Sequence, residues 1–352
     1  MSQHKGNREA ALSRRHALAW ITATGTTALY VLSAAAGKRF SPFVRAEAAA
    51  IAHDKPVIPV IVTDTTSFYW QTVIAGARKA GQDLGIKIVE LGAQSDSDAS
   101  GQISLLEIAV ASNPTALVLA PAQFAALRRP IDEAAKKVKI IGIDSDADSA
   151  AFTSMVATDN VQGGRIAADI LADRIKRTYA DAEGDVALIT SSPGIVALDQ
   201  RSKGFKEQIA AKYGALDLVA EKAAENHAAA REIMAELIST HSELRGVFAS
   251  NPTMAHGAAE AVSESKTNKT GDTINVVAFD WDDQLVKFLQ DGTIAALVVQ
   301  DPFRMGYEGV KTALAASKGD QVAPHIDTGV SAITKANMNS TRSQELLKPK
   351  IK

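Results

Sequence analysis

The sequence predicts an α/β protein built from two similar doubly wound parallel sheets, and three observations carry that reading. Continuous apolar runs of strand length recur along the chain, beginning with Val57-Ile-Pro-Val-Ile-Val-Thr63, and such runs belong to parallel strands covered on both faces. Helical stretches separate them, which is the βαβ alternation of a parallel sheet with right-handed crossovers. The alternation pauses near Val156 to Leu171 and then starts afresh, with no Pro- or Ser-rich linker between two comparable halves.

In the first half, a helix from about Tyr69 to Leu84 follows the opening strand, then strand Ile86 to Leu91 and a helix from about Ser100 to Ser112. Strand Ala116 to Ala120, a helix from about Gln123 to Lys137, strand Lys139 to Asp144 and a short strand near Met155 complete it. The stretch Val156-Ala-Thr-Asp-Asn-Val-Gln-Gly-Gly164 then turns into a helix carrying Ile166, Ala167, Ile170 and Leu171. Asp159 or Asn160 can cap that helix through a short side-chain oxygen. Two adjacent glycines in a first turn imply close backbone packing or a mobile joint; an ordinary βα turn is the alternative. The second half places strands at Asp185 to Thr190, Asp217 to Glu221, Gly246 to Ser250, Ile274 to Phe279 and Ile294 to Val299, with a helix from about Ala228 to Thr240.

A chain of 352 residues is long enough for two domains with separate cores. Its 46% apolar and 22% charged composition is that of a globular protein, and a net charge of -2 gives no field to attract nucleic acid or an anionic membrane. Cysteine is absent, so disulfides, thiolate metal sites, cysteine nucleophiles and a lipobox anchor fall away together. Ser13-Arg14-Arg15-His16-Ala17-Leu18 opens a mildly apolar run without charge as far as Gly37. It resembles a twin-arginine export signal, although Ala17 stands where that pattern favours Phe. Cleavage is expected near Ala48 to Ala52, so residues 1–52 are set apart as export signal and leader. An uncleaved membrane anchor is the alternative.

Ligands of open α/β sheets bind beyond the carboxyl ends of strands. Those ends offer Asp64, Gln94, Pro121-Ala-Gln123, Asp144-Ser145, Ser191-Ser192, Asn251, Asp280-Trp281 and Gln300-Asp301. Nearly all are carboxylates or neutral hydrogen-bonding groups. Asp144-Ser-Asp146-Ala-Asp148-Ser149 matches the short signature of haloacid-dehalogenase-like phosphatases, but it follows the fourth strand of its half rather than the first. As a calcium loop it fails, because Ala151 and Met155 stand near the places where supporting ligands are needed. No P-loop, HExxH helix or nucleophile elbow is present, and the 7 histidines lack metal-ligand spacing. No catalytic residue, metal or cofactor is therefore expected.

Five ordered motifs carry a family resemblance: Ala157-Thr-Asp-Asn-Val-Gln-Gly-Gly164, Arg201-Ser-Lys-Gly-Phe205, Gly246-Val-Phe-Ala-Ser-Asn251, Val277-Ala-Phe-Asp280 and Gln300-Asp-Pro-Phe-Arg-Met-Gly306. From about Pro56 to about Ala332 the chain resembles the periplasmic sugar-binding proteins of the ribose and galactose type, whose ligand domain also occurs in lactose-repressor-like regulators. The resemblance implies two lobes joined by a three-segment hinge, with crossings near Thr158-Asp159, Gln300-Asp301 and Asp327-Thr328. The first lobe would be 56–158 plus 301–327 and the second 159–300 plus 328–352. It further implies a monomeric periplasmic receptor that passes a sugar or polyol to ABC permease subunits, without nucleic acid. A membrane-tethered sugar sensor is the alternative if the amino-terminal run is retained.

By position, the resemblance points to Tyr69 and Trp70 as plates for a sugar face, with Thr63 and Ser67 as polar partners. A hydrophobic staple is the other reading of Phe68-Tyr69-Trp70. Asp144, Asp280, Asn251 and Gln300 match ligand-contacting positions; carboxylates and amides together suit vicinal diols, although either aspartate could cap a helix instead. Arg201 matches a ligand-facing arginine. Ser145 and Asp199 stand where ribose binders carry arginines, and Asn226 falls in a variable loop that contacts the ligand. Three carboxylates against one guanidinium favour a neutral sugar.

Overall fold

The computed structural model describes residues 55–94, 98–191, 195–267 and 273–349. The expectations for residues 1–52, including the Arg14-Arg15 pair and the cleavage region, and for Ser192 lie outside the described residues. The described part of the chain forms two lobes, each an α/β layer structure on a six-stranded sheet.

The first sheet runs β11-β5-β4-β3-β1-β2 and the second β12-β10-β9-β8-β6-β7. Here β1 is Val57–Val62, β2 Lys87–Gly92, β3 Leu117–Leu119, β4 Ile140–Ile143, β5 Ser154–Ala157 and β6 Gly184–Thr190. The others are β7 Leu216–Ala223, β8 Leu244–Ala249, β9 Asn275–Phe279, β10 Ile294–Gln300, β11 His325–Asp327 and β12 Val330–Ile333. The described helices are α1 Phe68–Leu84, α2 Ala99–Ala111, α3 Arg128–Ala135, α4 Asn160–Tyr179 and α5 Val196–Lys212. They continue with α6 His227–Thr240, α7 Pro252–Thr267, α8 Asp283–Asp291, α9 Pro302–Ser317 and α10 Thr341–Leu347. Replacing β1, β2, β3, β4, β5 and β11 by β6, β7, β8, β9, β10 and β12 converts one strand order into the other. The lobes are thus two copies of one layout.

The continuous apolar runs are central strands, as their composition requires. All of β1 and all of β10 are buried, while no residue of the outer strand β2 is fully buried. Within one strand, successive residues feed opposite cores, because side chains alternate across a pleat. Ile58, Val60 and Val62 join the cluster under α1 and α9, whereas Ile61 joins the one under α2 and α3. Val186 and Leu188 split from Ala187 and Ile189 in the same way in the second lobe.

Two sequence expectations are corrected in detail, and a third is made definite. The last strand, β12, pairs antiparallel with β10, because the chain re-enters the second sheet directly from β11 without a helical crossover. The helix expected over Gln123 to Lys137 begins only at Arg128. Its missing start is committed elsewhere, since Ala122 N–H donates to the buried Gln102 side chain at 2.8 Å and Phe124 C=O accepts from Asp148 N–H at 3.0 Å. The glycine pair lies in the first turn of α4, as expected, and of the two candidate caps Asp159 is the one used, accepting from Gln162 N–H at 2.8 Å.

That pair marks close packing. A Cβ on Gly164 would lie 2.0 Å from the Arg201 carbonyl oxygen, and one on Gly204 would lie 1.9 Å from that of Val161. The first lobe repeats the arrangement where α1 meets α9: a Cβ on Gly76 would lie 1.9 Å from Phe303 O, and one on Gly306 1.8 Å from Val73 O. In both lobes the helix that leaves a crossing segment therefore presses, backbone to backbone, on the helix that follows the first strand. Gly164→Ala would gain about 1 kcal/mol of helix propensity, but the clash is with a carbonyl that cannot swing away. We expect a net loss of about 1–3 kcal/mol in urea denaturation, with Gly214→Ala, which meets nothing within 4 Å, near neutral. A Gly164→Ala protein as stable as the parent would show that the helices can simply slide apart.

Candidate ligand cleft

The polar groups at the strand ends converge where the lobes face each other. Asp144 directly follows β4 and Asp280 directly follows β9, equivalent places in the two sheets. Both have a left-handed backbone, with φ of 62° and 63°, a conformation that short polar residues tolerate and that recurs at functional sites. A strand that ends on such a kink turns its carboxylate away from the helix that follows. Accordingly neither aspartate is the cap of its neighbouring helix: Asp282 caps α8, accepting from Gln284 and Leu285 N–H at 2.9 Å each.

Tyr69 in α1 donates its hydroxyl to Asp144 Oδ1, and Ser145 Oγ donates to Asp144 Oδ2 at 2.7 Å. Burial, then the charges of Asp144 and Asp280, push the Tyr69 phenol well above its usual range, with Arg201 opposing. The influence of Asp280 and Arg201 on Tyr69 shows the two lobes sharing one electrostatic site. Trp70 turns inward to the core and meets the Tyr69 ring edge-on, at 5.0 Å between centroids.

Across the cleft, Asp280 accepts from Gln300 Nε2 at 2.7 Å. Burial raises its carboxyl above the ordinary range, and the Arg201 guanidinium is the chief group pulling it back down. Arg201 itself is buried. Its Nε donates to Asn160 Oδ1 at 2.9 Å, Nη1 donates to Ser250 C=O at 3.0 Å and stands 3.8 Å from Asp280 Oδ2, and Cζ lies 3.6 Å from the centroid of Phe279. Burial lowers the affinity of Arg201 for its proton, and Asp280 is the main compensation.

A cavity of about 620 Å³ opens between the lobes, bounded by Gln123, Asp144 and Ser145 on one side and by Asn160, Val196 and Gln200 on the other. Its size suits a small polar ligand. A second groove of about 890 Å³ lies between α9 and α10, where Arg342 pairs with Asp301 at 2.6 Å. The cleft, with convergent polar groups at strand ends, is the candidate site.

Of the residues singled out from sequence, Tyr69, Asp144, Ser145, Arg201, Asp280 and Gln300 form one polar group, of which Asp144 and Ser145 line the cavity. Thr63 is buried at the end of β1. Ser67 is exposed at the start of α1, where Asp64 Oδ1 accepts the Thr66 and Ser67 amides at 2.6 and 2.7 Å. Asn251 accepts from Met254 N–H at 2.9 Å, capping α7. Asn226 is exposed and caps α6 through Ala229 N–H at 3.0 Å. Asp199 lies exposed in the first turn of α5 and, like Tyr69, Arg201, Asp280 and Gln300, does not line the cavity, whereas Asp144 and Asp146 do. Asp146 and Asp148 do not converge with Asp144, since Asp146 is exposed and Asp148 pairs outward with Arg128 at 2.9 Å. Asn160, Phe279 and the Ser250 carbonyl, which hold Arg201, were not singled out as site residues, although each lies within one of the five motifs.

Residues 58–321 match the periplasmic binding protein domain family. Among solved structures, a carbohydrate transporter solute binding protein from Agrobacterium radiobacter, in complex with D-arabinose, is 52% identical, covering 84% of this chain and 100% of that one with a TM-score of 0.74. An ABC transporter solute binding protein from Agrobacterium vitis, bound with alpha-D-tagatopyranose, is 28% identical with a TM-score of 0.71, covering 83% of this chain and 99% of that one. The ribose import binding protein RbsB of Bacillus subtilis is 29% identical over 71% of this chain and 77% of its own length.

Arg201→Met would leave Asp280 without its countercharge. Removing one partner of a fully buried pair costs roughly 3–5 kcal/mol. The Asp280 side chain keeps 20% exposure, so we expect about 2–3 kcal/mol at neutral pH. The unpaired carboxyl would titrate still higher in the folded state, which then binds more protons than the unfolded chain. The deficit should therefore shrink as pH falls toward the ordinary carboxylate range. Urea midpoints across that range check this, and a deficit that grows on acidification would contradict it.

Proposed function

The chain belongs to the periplasmic binding protein family, and on that premise we propose that it is the solute receptor of an ABC importer, closing two lobes on a neutral monosaccharide or polyol. The observation that carries the ligand class is the pair of carboxylates, Asp144 and Asp280, at equivalent strand ends on the two lobes. A carboxylate accepts from two hydroxyls, and Gln300 supplies an amide that both donates and accepts. Tyr69 adds an aromatic wall. The one guanidinium in the site is already committed to Asn160, Ser250 and Asp280. A sugar acid or phosphate would meet Asp144 and Asp280, with Asp146 also lining the cavity, in a partly dry cleft with no free cation among these groups, which costs several kcal/mol.

The D-arabinose bound by the 52%-identical structure makes aldopentoses the first sugars to test. We take the lobes as 56–158 plus 301–327 and 159–300 plus 328–352. Ligand touching both lobes shifts the population toward closure, and no covalent step is required. Cofactor and metal have no part in this reading. We place the protein in the periplasm as a monomer that engages ABC permease subunits and no nucleic acid. Among the described residues, no helix is long and apolar enough to cross a membrane.

Calorimetric titration with matched neutral, amino and acid forms of one sugar skeleton tests the ligand class. The neutral form should bind tightest, and Asp280→Asn should weaken it by about 1.5–3 kcal/mol through loss of a charged acceptor. Tightest binding of the acid form would overturn the assignment of charge in the cleft.

The export route rests on sequence. Changing Arg14 and Arg15 together to Lys should leave unprocessed precursor in the cytoplasm, because the twin-arginine route is read through that pair. Normal processing of the double variant would remove this route.

A further inference from the structure

The internal duplication lets each cleft-facing residue be compared with its counterpart in the other lobe. Asp144 and Asp280 correspond, so Ser145 corresponds to Trp281. The close-packed glycines align α1 with α5: Gly76 lies at the same distance from the start of its helix, Phe68, as Gly204 does from Val196. Phe68 and Trp281 are therefore one rim pair, and Val196 and Ser145 are its equivalent on the opposite rim. The two pairs behave differently. Phe68 of the first lobe meets Trp281 of the second edge-on, with centroids 5.4 Å apart and planes at 76°. Val196 and Ser145 instead bound the 620 Å³ cavity, along with Ile195 and Asp146.

The aromatic contact is not part of either core. Phe68 is 47% exposed and is one of the few large apolar side chains left at the surface. Trp281 packs its other side on the second-lobe core and presents a fixed plate. The contact runs from protein to protein, so it draws the lobes together without requiring a ligand atom. Edge-to-face ring pairs bias an equilibrium by about two- to tenfold.

We propose that Phe68 and Trp281 latch one rim of the cleft, so that the lobes part by twisting about the line from the hinge crossings to this contact. A sugar then enters and leaves at the opposite rim, between Ser145 and Asp146 on one side and Ile195 and Val196 on the other. The latch stands on geometry alone; the exchange route rests on the sugar-receptor reading above. Both rings act as positioning residues. They set how much of the protein is already closed, and the apparent affinity of any ligand scales with that fraction.

The chain has no cysteine, so pairs introduced for labelling are unambiguous. Spin–spin distance measurements between one label on each lobe of the sugar-free protein should show the open population rising about two- to tenfold in Phe68→Ala. Trp281→Ala should give the same rise, and the double variant no more than either single one. No rise, or additive rises, would overturn the latch. For the route, Phe68→Cys/Trp281→Cys and Asp146→Cys/Val196→Cys are each closed with a short bismaleimide and chased for release of radiolabelled D-arabinose. The first cross-link should leave exchange within about threefold of the uncross-linked protein, since off-rates follow the rim that opens. The second should stop it. The reverse pattern overturns the route. If D-arabinose fails to bind the uncross-linked protein, that result counts against the sugar tested, and the spin-label cycle still decides the latch.

Discussion

A buried guanidinium organises the ligand-facing half of the second lobe. Desolvating Arg201 costs several kcal/mol, and the protein offsets that with a carboxylate, an amide, a backbone carbonyl and an aromatic face drawn from three different elements. Each partner is thereby fixed. Asn160 is held at the start of the helix that leaves the first crossing, Ser250 at the end of β8, Phe279 and Asp280 at the end of β9. The arginine gives the cleft its shape more than its charge, because its positive field is spent on Asp280. The carboxylate of Asp144 opposite is answered only by hydroxyl donors, and the cleft as a whole is left hungry for hydrogen-bond donors. That is the physical basis on which a neutral polyhydroxylated ligand is proposed.

Much of this was legible in the chain. Continuous apolar runs identified the buried parallel strands, and the resting point at Gly163-Gly164 identified a crossing. Asp144 and Asp280 were conspicuous because each ends an apolar run with a charge. What was not legible were properties that depend on which way a side chain turns. Trp70 and Tyr69 are neighbours in sequence, yet one faces the core and the other the cleft, since adjacent helix positions point about 100° apart. Asp199 sits in the same helix as Arg201 but on its exposed side, for the same reason. Asn226 and Asn251 proved to hold helix amides through their Oδ1 atoms, a local use that spacing cannot distinguish from an outward one. The antiparallel β12 was hidden because it is short and partly polar.

The duplication was visible only in part. Matching strand orders emerge once the sheets are formed, and so does the shared use of paired glycines at the two helix contacts. Asp159 and Asp301 show the same economy: each caps the helix that follows a crossing, accepting at 2.8 Å from Gln162 and at 2.9 Å from Arg304. A crossing that ends on a capped, close-packed helix transmits rotation rather than absorbing it. Bending is confined to the few residues before each cap.

Those residues are poised for it. Thr158 and Thr328 lie in adjacent crossings, tied by the amide of Thr328 to Ala157 C=O at 3.0 Å, and both are buried. Neither hydroxyl has a hydrogen-bond partner among the described residues. Hydroxyls that hold no bond also lose none when the crossings rotate. The three connections therefore join the lobes through a joint in which the Thr158 and Thr328 hydroxyls do not oppose motion and the Asp327 carboxylate, accepting from the Asp159 and Gly329 amides at 3.1 and 2.8 Å, ties two crossings together.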